Sequence, residues 1–230
     1  PNFPIPAPRH EGAFQNFTPV WPPSFNESDV SDKPKIVRNI KSLTPEKINQ
    51  ETSRYQKRLE SLLSVDENIK LLINLLETSG AIDNTYVIFT SDNGYLLGEH
   101  RIADNKNYPY EESIRVPLII RGPGIAPGQS INRLVANVDL TATIVELAYA
   151  TSGLPQDGKS LMPLIKDPNI AWRQDFLIEN PKVRFYYGLR TEDYVYLEYD
   201  YQDDGIVDER ELYNLVADSC VASPDTYQLD

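Results

Sequence analysis

Ser91-Asp92-Asn93-Gly94 closes the apolar run Thr85–Thr90 and sets a carboxylate beside an amide carbonyl where a strand gives way to a turn. In α/β proteins, ligands gather outside the carboxyl ends of strands. A carboxylate and an amide oxygen are hard donors and suit a cation such as Ca²⁺; zinc prefers imidazole and thiolate. The same four residues would also serve as an ordinary turn, because Asp and Asn bond their own backbone and glycine frees it. Glu111-Glu112 offers paired carboxylates, for acid–base work or for pairing with Arg115. Asp200, Gln202, Asp204, Gly205, Asp208 and Glu211 fall at EF-hand loop positions one, three, five, six, nine and twelve. The run before them, Tyr194–Tyr199, reads as a strand and not a helix, so an acidic hairpin loop competes with calcium binding there.

The elements that must position these groups can be read along the chain. Residues 1–40 are rich in proline and carry Phe3, Phe14, Phe17, Trp21 and Phe25. They are expected to run extended, pinned by aromatic anchors. Thr44-Pro45-Glu46 starts a helix, with a capping hydroxyl, Pro in the first turn and then an acid. Leu59, Leu62, Leu63, Ile69, Leu72, Ile73 and Leu76 recur at helical spacing, and Gly80 stops it. Gln50–Lys57 within it reads as a solvated polar stretch. Thr85–Thr90 and Val116–Ile120 read as buried strands, and Val138–Ala150 as a short helix. Phe185–Thr191 and Tyr194–Tyr199, split by Glu192-Asp193, read as a hairpin, with Glu211-Leu212-Tyr213 as a third strand. The order predicts a layered α/β domain over residues 1–170, then a small antiparallel subdomain over 171–230.

Twenty-two Lys and Arg against 34 Asp and Glu give a net charge of −12. That balance argues against a nucleic-acid partner, which needs a basic patch, and against docking on anionic membranes. An anionic substrate would need local cations to overcome the global field. No apolar run is long enough to span a bilayer. Cys220 is the only cysteine, so no intrachain disulfide forms. It has no visible histidine partner that would mark it as a nucleophile. Asn16-Phe17-Thr18 and Asn26-Glu27-Ser28 are glycosylation sequons if the chain is secreted.

The run Ser91-Asp92-Asn93-Gly94-Tyr95-Leu96-Leu97-Gly98-Glu99-His100, then Lys106, then Tyr110-Glu111-Glu112-Ser113-Ile114-Arg115-Val116-Pro117-Leu118-Ile119-Ile120-Arg121-Gly122-Pro123-Gly124, resembles the sulfatase family of the alkaline-phosphatase-like superfamily. Leu134–Leu140 and Glu211–Leu215 are similar to that family as well. Ala7-Pro8-Arg9-His10 and the overall spacing look most similar to N-acetylglucosamine-6-sulfatases. The resemblance implies an alkaline-phosphatase-like α/β sandwich followed by a small antiparallel sheet. It implies Asp92 and Asn93 as two Ca²⁺ ligands, Lys106 as a contact to a sulfate oxygen, and His100 as a catalytic candidate in a Gly-Glu-His element. Superfamily phosphatases that use zinc tend to carry His where Asn93 stands, which favours calcium and sulfuric esters here.

The family's Cys-x-Pro/Ala-x-Arg motif, whose cysteine becomes the formylglycine nucleophile, does not occur in this sequence. Nor is the family's paired Asp-Asp, which supplies further calcium ligands, found near the start of the sequence. The chain is therefore expected to be the C-terminal portion of such an enzyme and inactive alone. Its expected partners are the N-terminal half and a sulfated carbohydrate, on a secreted or lysosomal route. A phosphatase or phosphodiesterase of the superfamily, and a non-catalytic carbohydrate-binding module, stay open as alternatives.

Overall fold

A computed structural model describes residues 3–217, so Cys220 lies outside the described residues. The proline-rich start, expected to run extended, instead passes through a series of tight turns, among them a 3₁₀ turn at Pro8–His10 and the bonds Ala13 N to His10 O and Phe25 N to Pro22 O, and it ends in a short helix α1 (Lys35–Arg38); proline presets the backbone for turns as readily as for extended chain. Aromatic anchors hold it: Trp21 stacks on Phe25 at 4.0 Å and Phe17 on Tyr55 at 5.9 Å. The Asn26 carboxamide accepts from Leu43 N at 2.7 Å and donates to Leu43 O at 3.4 Å, which engages both ends of this sequon side chain. Asn16 is exposed.

Helix α2 (Pro45–Thr78) begins as the sequence dictates, with Thr44 Oγ1 accepting from Lys47 N at 3.3 Å. It ends in a Schellman motif: Ala81 N donates to Leu76 O and Gly80 N to Glu77 O, with Gly80 at φ +71°. The side chains that α2 buries correct the expectation for Gln50–Lys57. Glu51, Arg54 and Glu60 are its buried residues, while Leu62, Leu71 and Leu75 are exposed. The polar turn is buried because it reaches a charged partner on a distant loop. Of the leucine stripe, Leu62 and Leu72 are exposed and Leu59, Leu63, Ile69, Ile73 and Leu76 are half-buried.

Strand β1 (Val87–Thr90) leads out of α2. A short ribbon follows, β2 (Leu96–Leu97) and β3 (Ala103–Asn105), then helix α3 (Glu111–Ile114) and strand β4 (Leu118–Arg121). β1 and β4 pair antiparallel, Val87 with Arg121 through Thr90 with Leu118. These strands were expected to be buried, but they are half-buried: β4 alternates, with Ile119 exposed. Helices α4 (Val138–Leu147) and α5 (Met162–Lys166) come next. Buried Asp139 at the start of α4 accepts two 2.6 Å bonds from Arg173 and further bonds from Ala136 N and Lys159 N. One carboxylate thus ties three chain segments together.

The chain then forms a four-stranded antiparallel sheet in the order β5 (Asp175–Asn180), β6 (Tyr186–Thr191), β7 (Tyr194–Tyr199), β8 (Glu209–Asn214). β5 escaped the sequence reading, because Asp175-Phe176-Leu177-Ile178-Glu179-Asn180 carries little alternation. The β7–β8 connection is a hairpin loop. Asp200 accepts from Asp204 N and Gly205 N, and Glu211 points into the core to take a 2.5 Å bond from Tyr199 Oη. A carboxylate at the twelfth position that faces a tyrosine core cannot close a calcium loop.

Two core clusters meet. Val37, Leu96, Ile102, Tyr108 and Tyr110 form one; Tyr186, Val195, Leu197 and Tyr199 form the other; Ile36 and Tyr213 pack against both. The 95–110 loop and the sheet therefore share an interior. No helix among the described residues is long and apolar enough to cross a membrane.

Candidate functional site

The candidate site starts where β1 ends. Ser91 Oγ donates to Asn93 O at 2.9 Å, and Asn93 Nδ2 donates to Gly94 O at 2.8 Å. With its amide nitrogen so engaged, Asn93 turns Oδ1 outward, where Lys106 Nζ donates to it at 3.1 Å. The same Nζ is 4.0 Å from Asp92 Oδ2, and the Asp92 side chain is 83% exposed. Asp92, Asn93 and Lys106 are thus together at the surface, as two hard oxygens beside one ammonium.

Gly94 makes this turn possible. A Cβ there would stand 2.0 Å from Glu112 O. Without one, Gly94 N and Tyr95 N reach Ser113 O and Glu112 O at 2.8 and 2.7 Å. Asn137, which the sequence reading gave no role, donates to Asp92 O at 3.0 Å and Ser91 O at 3.3 Å. It braces the Asp92 backbone from the start of α4. A polar residue at a helix N-terminus within a family-like run was the available signal.

Lys106 is positioned by a loop under backbone strain. His100, Arg101, Asp104 and Asn107 all have positive φ, a region costly for residues other than glycine. Asp104 holds the loop. Its carboxylate accepts from Tyr95 Oη at 2.5 Å and pairs with Arg54 at 2.9 Å, and the Asp104 side chain is 8% exposed. Arg54 in turn donates to both Glu51 oxygens at 2.8 Å. α2 therefore grips the loop two residues before Lys106. On the other side, Arg190 on β6 makes a two-pronged bond to Glu111, at 2.8 and 3.1 Å, with Arg115 a further 3.9 Å neighbour. Glu111 is a structural anchor between α3 and the sheet.

His100 lies in a different environment. It is buried, its Nδ1 is 3.0 Å from Glu27 Oε2, its Nε2 is 3.9 Å from Glu112 Oε2, and its ring is 4.3 Å from that of Tyr110. None of its hydrogen bonds or ion pairs reaches Asp92, Asn93 or Lys106. Nearby, Glu211 is buried among Tyr110, Tyr199 and Tyr213, and burial pushes its carboxyl above the usual range. Burial likewise raises the tyrosine hydroxyls, with the adjoining Glu211 charge acting in the same direction.

Two oxygens fit the chemistry of Ca²⁺ but fall short of the six to eight it takes. Among the described residues no group of three or more His, Cys, Asp and Glu could hold a metal. Asp92 and Asn93 could hold a cation only as part of a larger donor set.

Comparison with known proteins bears on the whole constellation. The Sulfatase family model matches residues 7–150, and that of the N-sulphoglucosamine sulphohydrolase C-terminal region matches residues 98–223. The N-acetylglucosamine-6-sulfatases of Bos taurus and Homo sapiens are each 39% identical over 176 residues, 75% of this chain. Those matches take in 31% and 32% of the relatives, so the chain spans about a third of their length. A protein solved in complex with its substrate D-glucosamine-2-N,6-O-disulfate superposes with a TM-score of 0.75 and 28% identity, over 94% of this chain and 57% of that one. A putative sulfatase from Bacteroides fragilis shares the fold, with a TM-score of 0.71 and 24% identity over 95% of this chain and 45% of that one. The architecture is thus the alkaline-phosphatase-like α/β arrangement with a C-terminal antiparallel sheet, and the chain belongs to the sulfatase family.

Proposed function

We propose that this chain supplies one wall of the site of a Ca²⁺-dependent sulfatase that hydrolyses sulfate esters on glucosamine-type sugars. The observation that carries the proposal is the meeting of Asp92, Asn93 and Lys106 at the strand end, with Lys106 Nζ 3.1 Å from Asn93 Oδ1. Asp92 and Asn93 would hold the calcium. When bound, the ion supplies Lewis-acid stabilisation of charge on sulfate oxygens. Lys106 presents its ammonium from the same side to a non-bridging oxygen, a fixed cation where negative charge grows. His100, the other catalytic candidate, would act from its Glu27-bound position on the far end of the strained loop. Asn137 fixes the Asp92 backbone, and Asp104 fixes the loop that carries Lys106.

The formylglycine nucleophile and the remaining calcium ligands would come from an N-terminal half, which would also cover the leucine stripe of α2. Residues 1–170 would complete the α/β domain with it, and 171–230 would form the antiparallel subdomain. The 230-residue chain alone would be inactive. A secretory or lysosomal route accords with the reading; a Drosophila melanogaster relative, 36% identical over 178 residues, is described as an extracellular sulfatase homolog.

The test compares sulfate release from 6-O-sulfated glucosamine by the whole polypeptide and by the 230-residue chain. The whole polypeptide turns over and the chain does not. Asp92→Ala and Lys106→Ala each lower turnover by on the order of 10²–10³-fold, the usual loss for one stabilising group. Sulfate release by the chain alone that Asp92→Ala abolishes would overturn the division of the site. Full activity in both variants would overturn the site itself.

A further inference from the structure

Arg184 sits in the turn between β5 and β6, and it has no oxygen partner among the described residues. Every other described arginine pairs with a carboxylate or a carbonyl, including the surface residues Arg9, Arg121 and Arg210. The Arg184 guanidinium instead lies 4.1 Å over the ring of Tyr108, and its Nε is buried without a hydrogen bond. In a chain of net charge −12, with carboxylates outnumbering cations, an unclaimed guanidinium is unexpected.

Its placement is built. Val183 N donates to Asn180 Oδ1 at 3.0 Å, and Phe185 N to Asn180 O at 2.7 Å, which fixes the turn. Phe185 has φ +56°, a conformation a bulky residue seldom adopts and one that recurs at ligand sites. The turn leans on the strained segment that carries Lys106: Tyr108 is buried, two residues further on. Two residues of chain span at most about 7 Å. A stacked guanidinium loses little freedom and keeps its remaining N–H groups as a fork, the geometry that matches carboxylate and sulfate oxygens.

We propose that Arg184 is a specificity residue that binds a second oxyanion of the sugar substrate, a sulfate or carboxylate distinct from the ester cleaved beside Lys106. The proposal rests on the sulfatase reading and adds to it that the preferred substrate is at least doubly anionic. Arg184 would hold the group with its N–H fork while stacking on Tyr108 keeps the planar guanidinium oriented.

Three 6-O-sulfated substrates separate the sources in the whole polypeptide: N-acetylglucosamine, N-sulfated glucosamine, and N-acetylglucosamine linked to a uronate. In Arg184→Ala, kcat/KM falls by about tenfold or more, the worth of a hydrogen bond to a charged group, for either the N-sulfated or the uronate-linked sugar. The singly charged sugar changes less than twofold, and Arg184→Lys recovers part of the loss. Equal loss on all three, or no loss on any, would refute a role for Arg184 in recognition. A binding arm is independent of turnover: titration of glucosamine N-sulfate and of free glucuronate into the 230-residue chain. Wild-type binding of one of them that Arg184→Ala weakens supports the anion site even if no ester is cleaved. Equal binding of both by wild type and variant counts against it.

Discussion

Replacing Arg54 by Met tests the claim that α2 holds the Lys106 loop through buried charge. Arg54 lies between two carboxylates: its side chain is 5% exposed, that of Glu51 0% and that of Asp104 8%. Removing the cation leaves both anions desolvated. Glu51 keeps Lys47 at 3.1 Å, and Asp104 keeps Tyr95 Oη at 2.5 Å, with Arg58 only at 4.0 Å. Breaking a buried pair from one side costs about 3–5 kcal/mol, because the other charge is stranded. The surviving partners place Arg54→Met near the low end, about 3 kcal/mol. At about 2–4 °C per kcal/mol for a chain of this size, the melting temperature falls by about 6–12 °C. Thermal unfolding followed by circular dichroism at neutral pH reads this directly. Adding Glu51→Gln and Asp104→Asn to Arg54→Met removes the stranded charges and recovers more than half of the loss. A single variant within experimental error of wild type would refute the reasoning, as would a triple variant no more stable than the single.

Two further outcomes follow from the same geometry. Gly94→Ala sets a methyl group 2.0 Å from Glu112 O, with backbone on both sides and nothing flexible to yield. It costs at least about 3 kcal/mol, the upper end for overpacking, and removes hydrogen-exchange protection at the Tyr95 amide; retained protection would contradict the close approach. Glu211 has its folded pKa raised by burial above the ordinary value of 4.5, so the fold prefers it protonated. Its contribution to stability is fully present below about pH 4.5 and is lost as pH rises through the folded value. Glu211→Gln therefore flattens the decline in melting temperature on the alkaline side of pH 4.5. Glu99, also raised by burial, leaves a residual slope. Parallel pH profiles for wild type and variant would show that Glu211 does not carry the effect.

What the sequence made legible is local. The Thr44 cap, the Gly80 stop, the strand running into Ser91-Asp92-Asn93-Gly94 and the β6–β7 hairpin each follow from a few adjacent residues, and each is present. Partner choice across the chain was not legible. Arg54 and Asp104 are 50 positions apart and Glu111 and Arg190 are 79 apart, and no periodicity encodes either pair. Within α2 the helix forms as expected, and only the solvated reading of Gln50–Lys57 gives way, for the same reason. Amphipathic spacing says that a leucine face suits burial, but the partner that covers a face belongs to tertiary structure. Here the polar turn Glu51–Arg54 found its partner on the Lys106 loop, and Leu71 and Leu75 found none among the described residues.

The two long-range pairs explain why the strained loop can persist. Asp104 and Asn107 hold positive φ at a cost of order 1–3 kcal/mol each, and a hairpin only two and three residues long cannot supply that from its own ladder. Arg54 fixes the loop before Lys106, and Arg190 fixes it after Lys106 through Glu111. Between these clamps Lys106 has a side chain 45% exposed, aimed at Asn93 Oδ1. Burying charge on either flank is what allows a single ammonium to stay at the surface in one place. Glu51 and Arg54, which the sequence places in a solvated polar stretch, thus hold the loop that carries the lysine to the Asp92-Asn93 turn.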